Sequence, residues 1–201
     1  MKLYYHPAST FARRVRVALI EKNIACEQVE LNLPAGEQKE GWYAALNPYM
    51  KVPTLIDGDL TLYESASVLT YLEATHPTPP LVPQDARGRA LVDMHVRLCD
   101  AHLGRYAGAI LMPKRFLPED KWSRPAMEAA RQEIDRHLAI VERALGDRHF
   151  LVGNSFTLAD VAYLPFLHFL GMLDVAVRPC VTAWGERLTS RPSALATVPP
   201  R

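Results

Sequence analysis

The chain has 201 residues, of which 49% are hydrophobic and 22% are charged. These proportions are typical of globular proteins, and the length suits two small domains. The 23 Lys and Arg nearly balance the 22 Asp and Glu, so the chain lacks the net positive field that attracts nucleic acid or an anionic membrane. No segment has the apolar core of a signal peptide or the length of a membrane span, and we expect a cytoplasmic protein with no membrane partner.

The cysteines give no sign of a disulfide framework or a metal site. Cys26, Cys99 and Cys180 are far apart, odd in number and without a C-x-x-C pair or the spacing of zinc ligands. Buried, reduced thiols are therefore expected, and no metal is predicted.

The first part of the chain predicts a β-α-β unit. Residues 2–5 resemble a short strand, residues 10–22 have helical periodicity, and residues 27–31 form a second strand at a distance that suits a right-handed crossover. The basic cluster in this helix, Arg13, Arg14 and Arg16, is expected on a solvated or salt-bridged face.

A hairpin and a helix complete this half. Residues 54–63 predict a β-hairpin with a type I′ turn at Asp57-Gly58, preceded by a possible short helix over 40–46 and followed by a helix over 64–75. Residues 76–85 then read HPTPPLVPQD, and their four prolines exclude a helix or a strand interior. We predict a domain boundary here.

After the boundary every strong pattern is helical. Asp85 is a credible N-cap for a long helix that Pro113 bends or ends, and a second helix is predicted over 125–145 with Gly146 as its stop. In FTLADV, residues 156–161, Thr157 and Asp160 form a capping box that starts an apolar helix through the domain centre to about Leu173, kinked at Pro165. The predicted fold is thus α+β, with domains at 1–76 and 86–201 and a linker at 77–85.

Four motifs carry a resemblance to a known family. HPASTFARRVRVAL, NPYMKVPTL, LYESASVLTYL and GNSFTLADV occur in this order and spacing, and together they resemble the cytosolic glutathione transferases over essentially the whole chain. The HPAST opening and the loop NLPAGEQK are most similar to the plant phi class and related bacterial enzymes. The resemblance implies a thioredoxin-like domain followed by a helical bundle.

The resemblance also implies a glutathione site. Val52-Pro53 would be a cis peptide, and the backbone of Val52 would pair with the cysteinyl backbone of glutathione. The sequence departs from the family at Met50, which replaces a usual glycine, and at Gln38, which replaces a usual histidine. The implied glutathione-binding residues are Gln38, Lys39, Lys51, Val52, Pro53, Glu64 and Ser65.

Ser9 is the implied catalytic residue, which would hold the thiolate of glutathione at the start of the first helix. A free thiol of pKa about 8.5 is mostly protonated at neutral pH, so the site must lower its pKa by roughly two units, or about 2.7 kcal/mol. From the residues alone Ser9 is also an ordinary N-cap, and Thr10 could fill either role. Cys26 follows the helix, where a buried thiol is the expected reading.

The implied activity is conjugation of glutathione, as co-substrate, to hydrophobic electrophiles in detoxification. Alternatives are a glutathione-dependent peroxidase or isomerase, and a non-catalytic ligand-binding or assembly protein of the same fold. The electrophile pocket is expected between the domains, with Phe11, Met112 and Phe116 in its lining. A homodimer is implied, with Tyr49 clasping the partner subunit.

Overall fold

A mixed sheet and helices form the first part of the chain, and helices form the rest. The computed structural model describes residues 1–176 and 178–199. The strands are β1 (Lys2–Tyr5), β2 (Glu27–Glu30), β3 (Thr54–Asp57) and β4 (Leu60–Tyr63). The helices are α1 (Thr10–Glu21), α2 (Gly41–Leu46), α3 (Ser65–Thr75), α4 (Ala86–Leu98), α5 (Arg105–Phe116), α6 (Arg124–Leu145), α7 (Leu158–Leu167), α8 (Pro179–Thr189) and α9 (Pro192–Leu195).

The described residues divide into two units. The first contains Met1–Leu81 together with the described residues from Pro192 onward, and the second contains Val82–Arg191. Chain order alone assigns the residues after 191 to the helical part, whereas their contacts lie with α1. The reason is a set of buried hydrogen bonds between residues far apart in the chain, such as those of Arg13 with Ala194 and Thr197.

The sheet of the first unit has the strand order β2-β1-β3-β4. β1 pairs parallel with β2, and β3 pairs antiparallel with both β1 and β4. Helices α1 and α3 cover this sheet because their apolar sides supply its core, which consists of Leu3, Val15, Leu19, Leu55, Val68 and Leu72. The α+β prediction is confirmed.

The predicted hairpin exists, but its turn differs. Asp57 pairs with Leu60, so the two-residue loop is Gly58-Asp59 rather than Asp57-Gly58. Gly58 has φ 60° and Asp59 is not among the residues with positive φ. A type I′ turn needs positive φ at both central residues, so the predicted turn type was wrong.

The expectation of a solvated face for the arginines of α1 was wrong for two of them. Arg13 and Arg14 are 1% and 0% exposed, while Arg16 is half-buried with its Nε donating to Gln28 Oε1 at 2.8 Å. The buried guanidinium groups contact residues more than fifty positions further along the chain. Helical periodicity in the sequence contains no information about partners so distant in the chain.

The long helix predicted after the linker is interrupted in a different place. Asp85 caps α4 as predicted, its Oδ1 accepting from the Gly88 amide at 2.8 Å. A π-helical segment, Cys99–Gly104, then separates α4 from α5. Pro113 lies inside α5 without ending it, because its carbonyl still accepts from the Leu117 amide at 2.9 Å. The helix ends at Phe116, and Leu117 is extended.

The capping box and the buried helix of the second unit were predicted correctly. Thr157 and Asp160 cap α7 reciprocally, and every residue of α7 is buried. The helix ends at Leu167, soon after Pro165, rather than near Leu173, and Leu170–Met172 form a separate 3-10 turn. Within the described part of the chain, no helix combines the length and the apolar character needed to cross a membrane.

Asp160 also holds together groups that lie outside its own helix. Its carboxylate accepts from the amides of Leu151 (3.0 Å) and Thr157 (2.9 Å) and from the indole N–H of Trp184 (3.0 Å). Burial raises the pKa of this carboxyl group, and the hydrogen bonds oppose that change.

We expect Asp160→Ala to lower the free energy of unfolding by at least about 3 kcal/mol, because three buried donors would lose their acceptor at about 1–3 kcal/mol each. Urea unfolding measures the loss. Asp93→Ala, which removes an exposed ion pair with Arg97, is the control and should cost no more than about 1 kcal/mol. Equal effects of the two substitutions would contradict the role of Asp160.

His137 of α6 makes the stability of the second unit depend on pH. Its Nε2 lies 3.0 Å from the Tyr163 hydroxyl, and its ring stacks on His102 at 5.5 Å between centroids. Burial, with smaller contributions from His102 and His95, lowers the pKa of His137 to about 4. Burial also lowers the pKa of His95, and the charge of Arg148 acts in the same direction.

Because the folded-state pKa of His137 lies below its unfolded value of about 6.5, the unfolded chain takes up the proton first as pH falls. Neutral His137 therefore contributes its full share to the free energy of unfolding above pH about 6.5. Up to about 3 kcal/mol of the free energy of unfolding is lost as the pH falls to about 4. Urea unfolding at several pH values should show this slope. His137→Gln should flatten it, and an unchanged slope would contradict the assignment.

Candidate functional site

The sheet register brings four loops to one end of the first unit. Tyr5 of β1 lies beside Glu30 of β2, and the row Tyr4, Thr54 and Tyr63 crosses β1, β3 and β4. The loops after β1, β2 and β4 therefore emerge at the same end as the loop before β3. Every residue predicted to bind glutathione, and Ser9, belongs to one of these four loops or to the first turn that follows it.

Ser9 follows β1 and caps α1. It has extended backbone angles (φ −79°, ψ 116°), and its Oγ accepts from the Ala12 amide at 3.1 Å. The cap is therefore real, but it uses only one lone pair of the hydroxyl. The O–H proton can still be donated to a ligand at the helix N-terminus, where the helix dipole favours negative charge.

The loop before β3 is held by a buried polar network. The Tyr43 hydroxyl donates to the Lys51 carbonyl at 2.6 Å, and Asn47 Nδ2 donates to the same carbonyl at 2.8 Å. Both side chains also contact Thr54 Oγ1, at 2.8 and 3.1 Å. Burial raises the pKa of Tyr43, which stays a protonated donor at neutral pH.

This network fixes the backbone that enters β3. The Val52-Pro53 peptide bond is cis, as expected, and Pro53 is buried. Met50, which occupies a usual glycine position, has φ 53°. It therefore has the left-handed conformation that glycine adopts most easily.

The start of α3 lies at the end of β4. Glu64 has φ 68° and ψ 107°, a costly conformation for a residue with a side chain, and among the described residues its side chain makes no cap hydrogen bond to α3. Glu64 therefore occupies the N-cap position of α3 without capping the helix through its side chain. Ser65 is buried, and its Oγ accepts from Arg14 Nη1 at 3.3 Å.

The loop after β2 carries the remaining polar candidates. Gln38 and Lys39 lie in a 3-10 turn, Glu37–Lys39. Gln38 Oε1 is buried and has no hydrogen-bond partner among the described residues. Lys39 and Lys51 are both exposed, which leaves their ammonium groups available to an anion.

The apolar candidates belong to different units. Phe11 of α1 is half-buried, with the Arg14 guanidinium 4.8 Å from its ring centroid. Met112 and Phe116 of α5 are 56% and 51% exposed. Cys26 is half-buried and burial raises the pKa of its thiol, which makes it a poor nucleophile.

Three residues that shape the site were missed from the sequence. The sequence patterns assigned no role to Asn47, placed Tyr43 in a possible short helix and placed Arg14 on a solvated or salt-bridged face. Tyr43 is completely buried and Asn47 is 2% exposed. A polar residue inside an apolar segment is the one sequence signal for such a buried contact. It does not identify the partner, which lies in another element.

Comparison with known proteins adds independent information. Residues 3–80 match the family model "Glutathione S-transferase, N-terminal domain", and residues 124–196 match "Glutathione S-transferase, C-terminal domain". The chain is 32% identical over 208 residues to glutathione S-transferase F7 of Arabidopsis thaliana, covering 96% of this chain and 97% of the relative.

Solved structures give the same result. A theta-class glutathione S-transferase from Xanthomonas axonopodis pv. citri with glutathione bound has a TM-score of 0.92 at 27% identity, covering 100% of this chain and 97% of that chain. Glutathione transferase F2 of Populus trichocarpa has a TM-score of 0.89 at 27% identity, covering 98% and 96%.

We expect Asn47→Ala to loosen the loop over residues 48–53, because a buried carbonyl and the Thr54 hydroxyl would each lose a donor. The loss should be about 1–3 kcal/mol. Hydrogen exchange of the loop amides should accelerate relative to β1, which serves as an internal reference. Asn154→Ala changes an exposed residue outside this network that has no positive φ and should leave the loop unaffected; if both variants exchange alike, the network does not hold the loop.

Proposed function

The chain belongs to the glutathione S-transferase family, and on that basis we propose that it binds glutathione at the loop end of its sheet and conjugates it to hydrophobic electrophiles. The observation that carries the site assignment is the sheet register, which gathers all the polar candidates of the first unit at one end. Open α/β sheets commonly bind ligands beyond the carboxyl ends of their strands.

Ser9 holds the thiolate in this proposal. Its Oγ accepts from Ala12 N–H and so has a defined orientation, while its own proton is donated to the glutathione sulfur. A hydrogen bond to a charged acceptor contributes about 1.5–3 kcal/mol, and a helix N-terminus about 0.3–2 kcal/mol. Together they cover the roughly 2.7 kcal/mol that a two-unit pKa shift requires.

The γ-glutamyl end of glutathione binds at the start of α3. Glu64 makes no cap bond to its own helix, so the first-turn amides can receive the carboxylate and the Glu64 side chain can meet the ammonium group. Arg14 donates to Ser65 Oγ, which turns the hydroxyl proton of Ser65 outward as a donor. A buried guanidinium behind this hydroxyl further favours an anion.

The rest of the tripeptide uses the other two loops. The backbone of Val52, set by the cis bond to Pro53, pairs with the cysteinyl backbone of glutathione. Lys39, Lys51 and the Gln38 amide take the glycyl carboxylate. Gln38 replaces a usual histidine, and its Nε2 group is an adequate neutral donor for this role.

The reaction is attack of the thiolate sulfur on an electrophilic carbon, with a leaving group or an adjacent carbon atom taking the electron pair. Met112 and Phe116 are exposed apolar side chains of α5, and contact with the electrophile by these residues and by Phe11 stays a prediction. No metal is invoked. The proposed role is detoxification.

An isomerase activity is a second candidate. The holo structure of a maleyl pyruvate isomerase, described as a bacterial zeta-class glutathione S-transferase, has a TM-score of 0.84 at 25% identity. The same thiolate could add reversibly to a double bond, or reduce a hydroperoxide. Turnover of an aryl halide with glutathione, compared with maleyl pyruvate and cumene hydroperoxide, separates these activities; turnover of only the latter two would overturn conjugation.

We propose in addition a cytoplasmic homodimer. Tyr49 is 63% exposed although its ring lies 5.7 Å from that of Tyr63, and a large aromatic side chain held in this way suits a contact with a partner subunit. Sedimentation velocity tests the dimer. A mass of one chain at micromolar concentration would remove it.

We expect Ser9→Ala to lower kcat/KM by about ten- to a hundredfold at neutral pH, through loss of one charge-assisted hydrogen bond. The ultraviolet thiolate signal of bound glutathione should disappear while the circular dichroism spectrum is unchanged. Thr10→Ala, one position along, is the matched control and should retain the signal. Loss in Thr10→Ala with retention in Ser9→Ala would transfer the role to Thr10.

A further inference from the structure

The last described residues of the chain pack against α1, the helix that Ser9 caps. We call Pro192–Pro199 the C-terminal strap. Three of its side chains, Ser193, Ala194 and Thr197, are 2%, 0% and 1% exposed. The strap follows the entire helical unit in the chain, yet it belongs to the first unit.

Arg13 is the main point of attachment. Its Nη2 donates to the Ala194 carbonyl at 3.0 Å, and its Nε donates to Thr197 Oγ1 at 3.4 Å. Thr197 Oγ1 is itself oriented, because its proton is directed to the carbonyls of Ser193 (2.9 Å) and Ala194 (3.2 Å). The Thr197 hydroxyl therefore presents a lone pair to Arg13.

A second contact holds the other end of the helix. Ser193 Oγ donates to Glu21 Oε1, and Glu21 is the last residue of α1. The side chains of Arg13, in the first turn of α1, and of Glu21, at its last residue, thus both bond to the strap, at the adjacent residues Ala194 and Ser193. The helix cannot shift along its axis without breaking one of these contacts.

The backbone connects Arg13 to Ser9 directly. The Arg13 amide donates to the Ser9 carbonyl at 2.9 Å, and the neighbouring Ala12 amide donates to Ser9 Oγ at 3.1 Å. Both amides belong to the turn whose third and fourth residues are Ala12 and Arg13. An anchor on Arg13 therefore fixes the two donors that define where the Ser9 hydroxyl lies.

We infer that Arg13 and Thr197 are positioning residues, through which the C-terminal strap holds the first turn of α1 and keeps the Ser9 hydroxyl aimed at the glutathione sulfur. This inference rests on the proposed function of Ser9. Neither residue touches the substrate. Both act by fixing the helix end on which the thiolate depends.

The choice of residue type agrees with positioning rather than with stability alone. Burial lowers the pKa of the Arg13 guanidinium to about 10, which leaves it charged at neutral pH. Buried charged groups are often replaced by apolar residues without loss of stability. A guanidinium instead makes two directional bonds to two separate residues of the strap, and direction is what an aligned hydroxyl needs.

The experiment uses the full chain and two pairs of variants. Thr197→Val removes the acceptor at nearly constant volume, and Thr197→Ser restores it. Arg13→Met removes both directional bonds, and Arg13→Lys keeps one donor. Arg16→Met, on the same helix but bonded to Gln28 instead of the strap, is the matched control. Each protein is assayed for kcat/KM against pH and for the thiolate absorbance of bound glutathione.

We expect Thr197→Val and Arg13→Met to raise the apparent pKa of bound glutathione by about one unit, which corresponds to about tenfold lower kcat/KM at neutral pH. The rates should converge with wild type at high pH, where the thiol ionises unaided. Thr197→Ser should restore the wild-type profile, Arg13→Lys should fall between, and Arg16→Met should match wild type.

The outcomes separate this inference from the proposed function. If wild type shows a thiolate and Thr197→Val has the same pH profile with only a lower unfolding temperature, the strap is merely structural and the inference is overturned. If wild type shows no thiolate, the proposed role of Ser9 fails and the inference fails with it. A shift in Arg16→Met equal to that in Arg13→Met would also overturn it.

Discussion

The hydrogen-bond register of the four-stranded sheet is the constraint on which the candidate site depends. Because Tyr4, Thr54 and Tyr63 share one row across β1, β3 and β4, the segments that carry Ser9, Val52 and Glu64 leave the sheet at a common end. A one-residue slip of β3 would turn its buried side chains outward and separate these loops. The candidate site therefore depends first on correct strand pairing, which brings its side chains together.

At that end of the sheet, two helix N-termini are prepared in opposite ways. The side chain of Ser9 caps α1 and so fixes its own hydroxyl, whereas Glu64 adopts a strained conformation and makes no cap bond to α3 among the described residues. A satisfied cap suits a group that must donate one aimed proton. An open helix start suits the capture of a carboxylate. In the proposed function, the two helix starts therefore bind two different anions, the thiolate and the γ-glutamyl carboxylate.

Buried polar groups organise both units. In the first unit, Tyr43 and Asn47 hold the Lys51 carbonyl, and Arg13 holds the C-terminal strap. In the second, Asp160 gathers the Leu151 amide and the Trp184 indole. Each of these groups replaces water with directional bonds that join separate segments of its unit, and such bonds specify one arrangement more strictly than apolar contact does. Precise placement of a reactive group needs this kind of restraint.

The sequence by itself determined the elements whose cause is local. Periodicity predicted α1, α3 and α6, the Thr157–Asp160 spacing predicted the cap of α7, and the ordered motifs indicated the family and Ser9. Only tertiary structure decided what depends on distant partners: the burial of Arg13 and Arg14, the π-helical segment at Cys99–Gly104, and the strap on α1. The physical reason is that a charged residue in a helical sequence is predicted to lie in solvent unless the acceptors that would compensate its burial are known. Those of Arg13, Ala194 and Thr197, lie more than 180 positions away.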